Sequence, residues 1–100
     1  MTLEELQAQI LVVPFVDMEP HLKRGAVIVI DEELDLAQVG LWLARDNKEE
    51  ISKLIEAQLL TKASPLDFEA WRREKRFFKI LIVQPFVVAQ NFTALSPQNN

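Results

Sequence analysis

No cysteine, no tyrosine and only one histidine occur in this chain of 100 residues. The missing cysteines exclude disulfides and thiolate metal sites, which suits a reducing compartment. The single histidine, His21, stands in "DMEPH" beside Asp17 and Glu19. Zinc sites draw on three or four well-placed ligands, and Pro20 disturbs any helical spacing here. His21 is therefore read as bonding a neighbouring carbonyl or facing solvent, and neither metal nor cofactor is expected. Nucleophiles are equally scarce. A helix surface, a helix cap and a tail account for the three serines, Ser52, Ser64 and Ser96. Carboxylate pairs such as Glu49 and Glu50 make no acid/base site without a pocket. An enzyme is not expected.

An excess of bases is missing too. Acids outnumber bases 15 to 11, a net charge of −4, which gives no overall attraction to nucleic acid or anionic lipid. No apolar run approaches the ~18–20 residues that span a bilayer. The start, "MTLEELQAQI", carries acids where a secretory signal carries bases. A cytoplasmic protein with no membrane partner is expected.

What is present is an ordinary folding composition, 49% hydrophobic. The length suits one domain, placed at residues 1–94, with residues 95–100 as a flexible polar tail. Thr2 and Glu5 form a capping-box pattern ahead of Leu3, Leu6 and Ile10 on one helical face. Pro14 stops or kinks that helix and opens a second short helix or an irregular turn. Gly25 permits a sharp turn into Ala26–Ile30, a β-branched run read as a strand buried on nearly both faces. "DEELD" follows with four carboxylates but lacks the glycine and spacing of a calcium loop, and so reads as a solvated acidic turn.

Asp35 caps the next helix, which stripes Leu36, Val39, Trp42 and Leu43. Gly40 inside it costs ~1 kcal/mol relative to alanine, which points to something coming close. Asn47 caps a further helix striped by Ile51, Leu54 and Ile55, so the region reads helix, tight turn, helix. "LLTKA" is a short extended piece. "SPLD" starts another helix, with Ser64 as cap and Pro65 first, and "RREKR" places bases in its last turn, where the dipole favours them. The strongly apolar "FFKILIVQPFVVAQNF" reads as one bent strand. Its first half pairs beside Ala26–Ile30, and beyond Pro85 its second half lies near an edge.

Taken together these elements predict an α+β domain, a winged-helix-like three-helix core with a small antiparallel sheet. The alternative is helices on one face of a three-stranded sheet. Trp42, Trp71 and the phenylalanines supply the core. The segment Pro20–Gln90, through "DEELDL", "ARDN" and "IVQPFV", resembles a small bacterial family of proteins about this size, known only as a domain of unknown function. The N-terminal "QILVVPFVDME" is less typical of it. The resemblance implies a bacterial, cytosolic, single-domain protein and brings no catalytic residues or cofactor.

The functional expectation is a non-enzymatic protein-interaction or regulatory module, with an unknown protein partner or a second copy as homodimer. The expected contact residues are Gln84, Phe86, Val88 and Phe92 on the strand edge that Pro85 leaves open. The alternative is weak DNA binding by the helix-turn-helix, through Lys48, Ser52, Lys53, Arg72, Arg73 and Arg76. Against it, Asp46, Glu49, Glu50 and Glu56 outweigh Lys48 and Lys53, a net of −2 between Asp46 and Leu60.

Overall fold

The computed structural model describes residues 2–92; the expected tail at 95–100, with Ser96, lies outside the described residues. Helix α1 (Leu3–Ala8) begins at the capping box, where the Thr2 side chain accepts from the Glu5 N–H and the Glu5 carboxylate accepts from the Thr2 N–H. It ends six residues before Pro14, because the β-branched "LVVP" forms strand β1 (Leu11–Pro14) instead. A 3₁₀ turn (Phe15–Met18) and the short helix α2 (Glu19–Lys23) follow. Gly25 then turns the chain in the left-handed region, φ +70°, into β2 (Val27–Ile30).

Helix α3 (Leu36–Ala44) is capped by Asp35, whose carboxylate accepts from the Ala37 and Gln38 N–H groups. Asn47 caps α4 (Lys48–Glu56) in the same manner. The helix, tight turn and helix expected here are present. After β3 (Leu60–Lys62), Ser64 and Asp67 cap α5 (Pro65–Glu74) reciprocally. Only Gly25 and Gly40 are glycines, so the left-handed residues that end α3, α4 and α5 are Asp46, Gln58 and Lys75.

The expected bent strand is two strands. The chain reverses at Gln84-Pro85, a cis peptide, so β4 (Phe77–Val83) and β5 (Phe86–Asn91) form an antiparallel hairpin. The described residues build one five-stranded sheet in the order β1-β4-β5-β2-β3. Its pairs are antiparallel except β2 with β5, which run parallel, Val27 opposite Val87. The segment expected at an edge is thus the central strand. The half expected beside Ala26–Ile30 lies one strand further out, and β5 takes that place.

This overturns both sheet arrangements read from the sequence. The protein is α+β, but the sheet is a middle layer rather than a cap on a helical core. Side chains alternate across each strand. On one face Ile30, Leu81, Val83 and Val88 pack with Leu6, Leu36, Val39 and Leu54 of α1, α3 and α4. On the other, Val27, Phe78, Ile80 and Val87 pack with Phe15, Met18 and Leu22, and with Phe68 and Trp71 of α5. Trp42 borders the first cluster and Trp71 the second, so the two tryptophans do not share a core. Trp71 meets Phe78 edge-on with ring centroids 4.8 Å apart and Phe15 at 6.1 Å, a favourable aromatic geometry. Apolar side chains of both parities in "FFKILIV" reflect this double coverage.

Candidate protein-contact surface

Phe86 opens β5 directly after the hairpin turn and pairs with Val83, whose side chain belongs to the α3–α4 face. A ring at the tip of a hairpin overhangs the helix layer beneath it. Below it the α4 stripe supplies Ile51 and Ile55, held in place by the Asn47 cap. Two hollows result, and Phe86 is a wall of both. One, about 250 Å³, is lined by Trp42, Leu43, Ile51 and Ser52, with Asp46 and Lys48 at its polar side. The other, about 290 Å³, is lined by Ile28, Ile55, Leu60 and Lys62. Phe86 is 38% and Ile55 53% exposed, so two large apolar side chains meet water between these hollows.

The other residues expected at this contact part company. Gln84 is exposed at the turn. Val88 is fully buried in the central strand, and so is not available to a partner. Phe92 is half-buried, and its N–H donates to the Phe77 carbonyl at 3.2 Å. The open edge predicted for this segment does not exist, because β4 and β2 flank β5 on its two sides.

The residues of the nucleic-acid alternative are also separated. Lys48, Ser52 and Lys53 lie on α4, on one side of the sheet. Arg72 and Arg73 lie on α5, on the other, and Arg76 follows that helix. Lys53 pairs with Glu50 at 3.4 Å, Arg72 with Glu19 at 2.7 Å, and Arg76 with Glu74. No single basic surface combines the two sets.

His21 accepts from the Arg24 guanidinium at Nδ1, 2.6 Å away, since that group can only donate. Three of the four acids of "DEELD" have structural partners. Asp31 accepts from the Glu33 N–H, Glu32 from the Asn91 side chain, and Asp35 caps α3. Among the described residues no group of three or more metal-ligating side chains stands together.

Residues 2–91 match the family described as "Protein of unknown function (DUF2288)". The chain belongs to that family. The match shows the resemblance read from "DEELDL", "ARDN" and "IVQPFV", and extends it over the N-terminal segment that looked less typical. Among solved structures, this DUF2288 chain is similar to the NMR solution structure of PA1075 from Pseudomonas aeruginosa. The two are 23% identical with a TM-score of 0.81, over 94% of this chain and 87% of that one. At that identity the likeness shows the fold. No curated protein matches. No helix among the described residues is long and apolar enough to cross a membrane.

Two features of the DUF2288 chain escaped the sequence reading. Gln90, 1% exposed on β5, donates from Nε2 to the Asp31 and Leu34 carbonyls at 2.9 and 2.7 Å, tying the acidic turn to the sheet. A glutamine amid valines was the available signal. The second is β1 itself, signalled by the β-branched pair ahead of Pro14.

Proposed function

We propose that this protein is a non-enzymatic interaction module of the cytoplasm that receives an apolar segment of a protein partner across Phe86. The observation that carries the reading is the exposed Phe86 ring set between two hollows lined by Trp42, Ile51, Ile28 and Ile55. Such an arrangement accepts two apolar side chains, one on each side of the ring, and binding energy concentrates on aromatic anchors of this kind. Charge defines the partner further. Lys62 is the charged residue lining the second hollow, whereas Lys48 shares the first with Asp46. The partner segment therefore carries an acid at its Lys62 end. The mixed charge along α4 supports this reading over contact with a phosphate backbone, which calls for uncompensated bases.

The test is selection of peptides from a random library on the intact protein, with Phe86→Asp as the counter-selected variant. Enriched peptides with two apolar residues and a nearby acid are expected. Phe86→Asp should bind them at least about tenfold more weakly, roughly 1.4 kcal/mol. Amide shifts on binding should fall on Ile28, Ile51 and Ile55. Equal binding by Phe86→Asp, or shifts confined to α5, would refute the proposal.

A further inference from the structure

The two edges of the sheet are built differently. The β3 edge carries an exposed lysine, Lys62, the ordinary guard against strand pairing. The β1 edge, Leu-Val-Val-Pro, carries no charge. Four of the eight exposed large apolar side chains among the described residues lie on it or beside it: Leu11 and Val12 in the strand, Val16 after it and Phe77 opposite Pro14. At its C-terminal end lies a hollow of about 310 Å³ between Pro14, Phe15, Val16 and Phe77, with Glu19, Arg72 and Lys75 on the rim.

Backbone polarity then specifies what this edge accepts. The Phe15 N–H donates to the Arg76 carbonyl at 2.9 Å, across the pair that follows Pro14 and Phe77. Alternate residues of a strand aim their backbone groups the same way. Leu11 and Val13 therefore face β4, and Val12 and Pro14 face outward. Proline has no N–H, so within β1 the outward donor is that of Val12. An antiparallel second copy centred on Val12 satisfies this pattern. Each Val12 N–H meets the other copy's Val12 carbonyl, and each Pro14 falls opposite Ile10, whose N–H is already engaged with the Gln7 carbonyl at 3.4 Å. No outward strand donor is then buried without a partner.

Charge favours the same arrangement. The N-terminal end of β1 adjoins α1, with Glu4 and Glu5 in its first turn. The C-terminal end adjoins a rim of Glu19, Arg72 and Lys75, where Glu19 pairs with Arg72 at 2.7 Å and Lys75 supplies the remaining positive charge. An antiparallel pair brings the acidic end of each copy towards Lys75 of the other, and the paired strands themselves carry no charge.

We infer that this protein forms a two-fold dimer by antiparallel pairing of β1 with β1 about Val12, fusing the two sheets into one. The Phe86 surface belongs to β5 and α4, two strands away, and stays open in this dimer.

Sedimentation equilibrium across a concentration series tests it. The mass is expected to rise from 11.5 kDa towards twice that value. Val12→Lys should hold it at the monomer, and Phe86→Asp should leave the rise unchanged. Hydrogen exchange of the Val12 amide in the unaltered protein gives a second measurement, with protection that increases with concentration. A monomer at every concentration, a dimer that survives Val12→Lys, or Val12 exchange independent of concentration would each overturn the inference. Loss of the dimer in Phe86→Asp alone would overturn it as well, and would assign self-association to the other surface.

Discussion

Gly40 of α3 lies directly on Leu81 of β4: a Cβ built at Gly40 would stand 2.4 Å from Leu81 Cδ2 and 3.5 Å from Val83 Cγ2. The close approach expected from a glycine inside a helix is thus a leucine of the neighbouring sheet. Leu81 is fully buried, which leaves it little room to withdraw. Gly40→Ala gains ~1 kcal/mol of helix propensity but overpacks the core, at a cost of ~1–3 kcal/mol. The expected net effect is a loss of up to about 2 kcal/mol, read as a lower urea midpoint at unchanged slope. Shortening Leu81 to valine in the same chain should recover part of it, as a double-mutant cycle would measure. A higher midpoint for Gly40→Ala would mean the contact yields freely.

Gln90 is the corresponding test of the polar tie. Replacing it with leucine keeps an apolar volume in the strand but strips the Asp31 and Leu34 carbonyls of their donor. Asp31 is exposed and Leu34 half-buried, so solvent offsets part of that loss, and leucine also removes the buried Gln90 Oε1, which has no hydrogen-bond partner. A stability loss of at most ~1 kcal/mol is expected, the low end of the ~1–3 kcal/mol that a fully buried unpaired acceptor costs, with faster hydrogen exchange in the turn from Asp31 to Asp35. An unchanged midpoint would show that solvent replaces the glutamine.

The scarcity of glycine makes a third prediction. Gln58, at φ 62°, ends α4 in a conformation that costs a side-chain-bearing residue ~1–2 kcal/mol. Gln58→Gly removes that cost and adds ~0.4–1 kcal/mol of unfolded-state freedom. A gain of up to about 1 kcal/mol is expected in thermal or urea unfolding. Gln58→Val should lose stability, since a β-branched residue fits the left-handed region poorly. Stabilisation by valine would contradict the assigned geometry.

Duplex DNA supplies the fourth. The bases of α4 and α5 sit on opposite sides of the sheet, and Lys53, Arg72 and Arg76 have acidic partners. The protein should therefore pass through immobilised duplex DNA at low salt without retention. Salt-sensitive retention, with a slope that falls when Lys48 and Lys53 are replaced, would restore the nucleic-acid reading.

The local elements were legible from residues that stand close together in the chain. Thr2 with Glu5, Asp35, Asn47, and Ser64 with Asp67 start helices because capping acts within three residues. The tight turn between α3 and α4, the β2 strand after Gly25 and the short β3 strand were readable for the same short-range reason. Family membership was legible too, since motifs such as "DEELDL" stand contiguous in the chain.

Tertiary structure alone decided how the strands are ordered. "FFKILIV" is apolar at both parities, so no alternation could say which face was covered, and both are. The reversal at Gln84-Pro85 put β5 at the centre beside β2, which buried Val88 and left Phe86 outside. Trp42 and Trp71, alike in composition, went to opposite faces. "LVVP" became an edge only because β4 chose β5 and β1 as its neighbours. Strand pairing joins residues about sixty apart, such as Ile30 and Gln90, and its energy comes from burial that no local window contains.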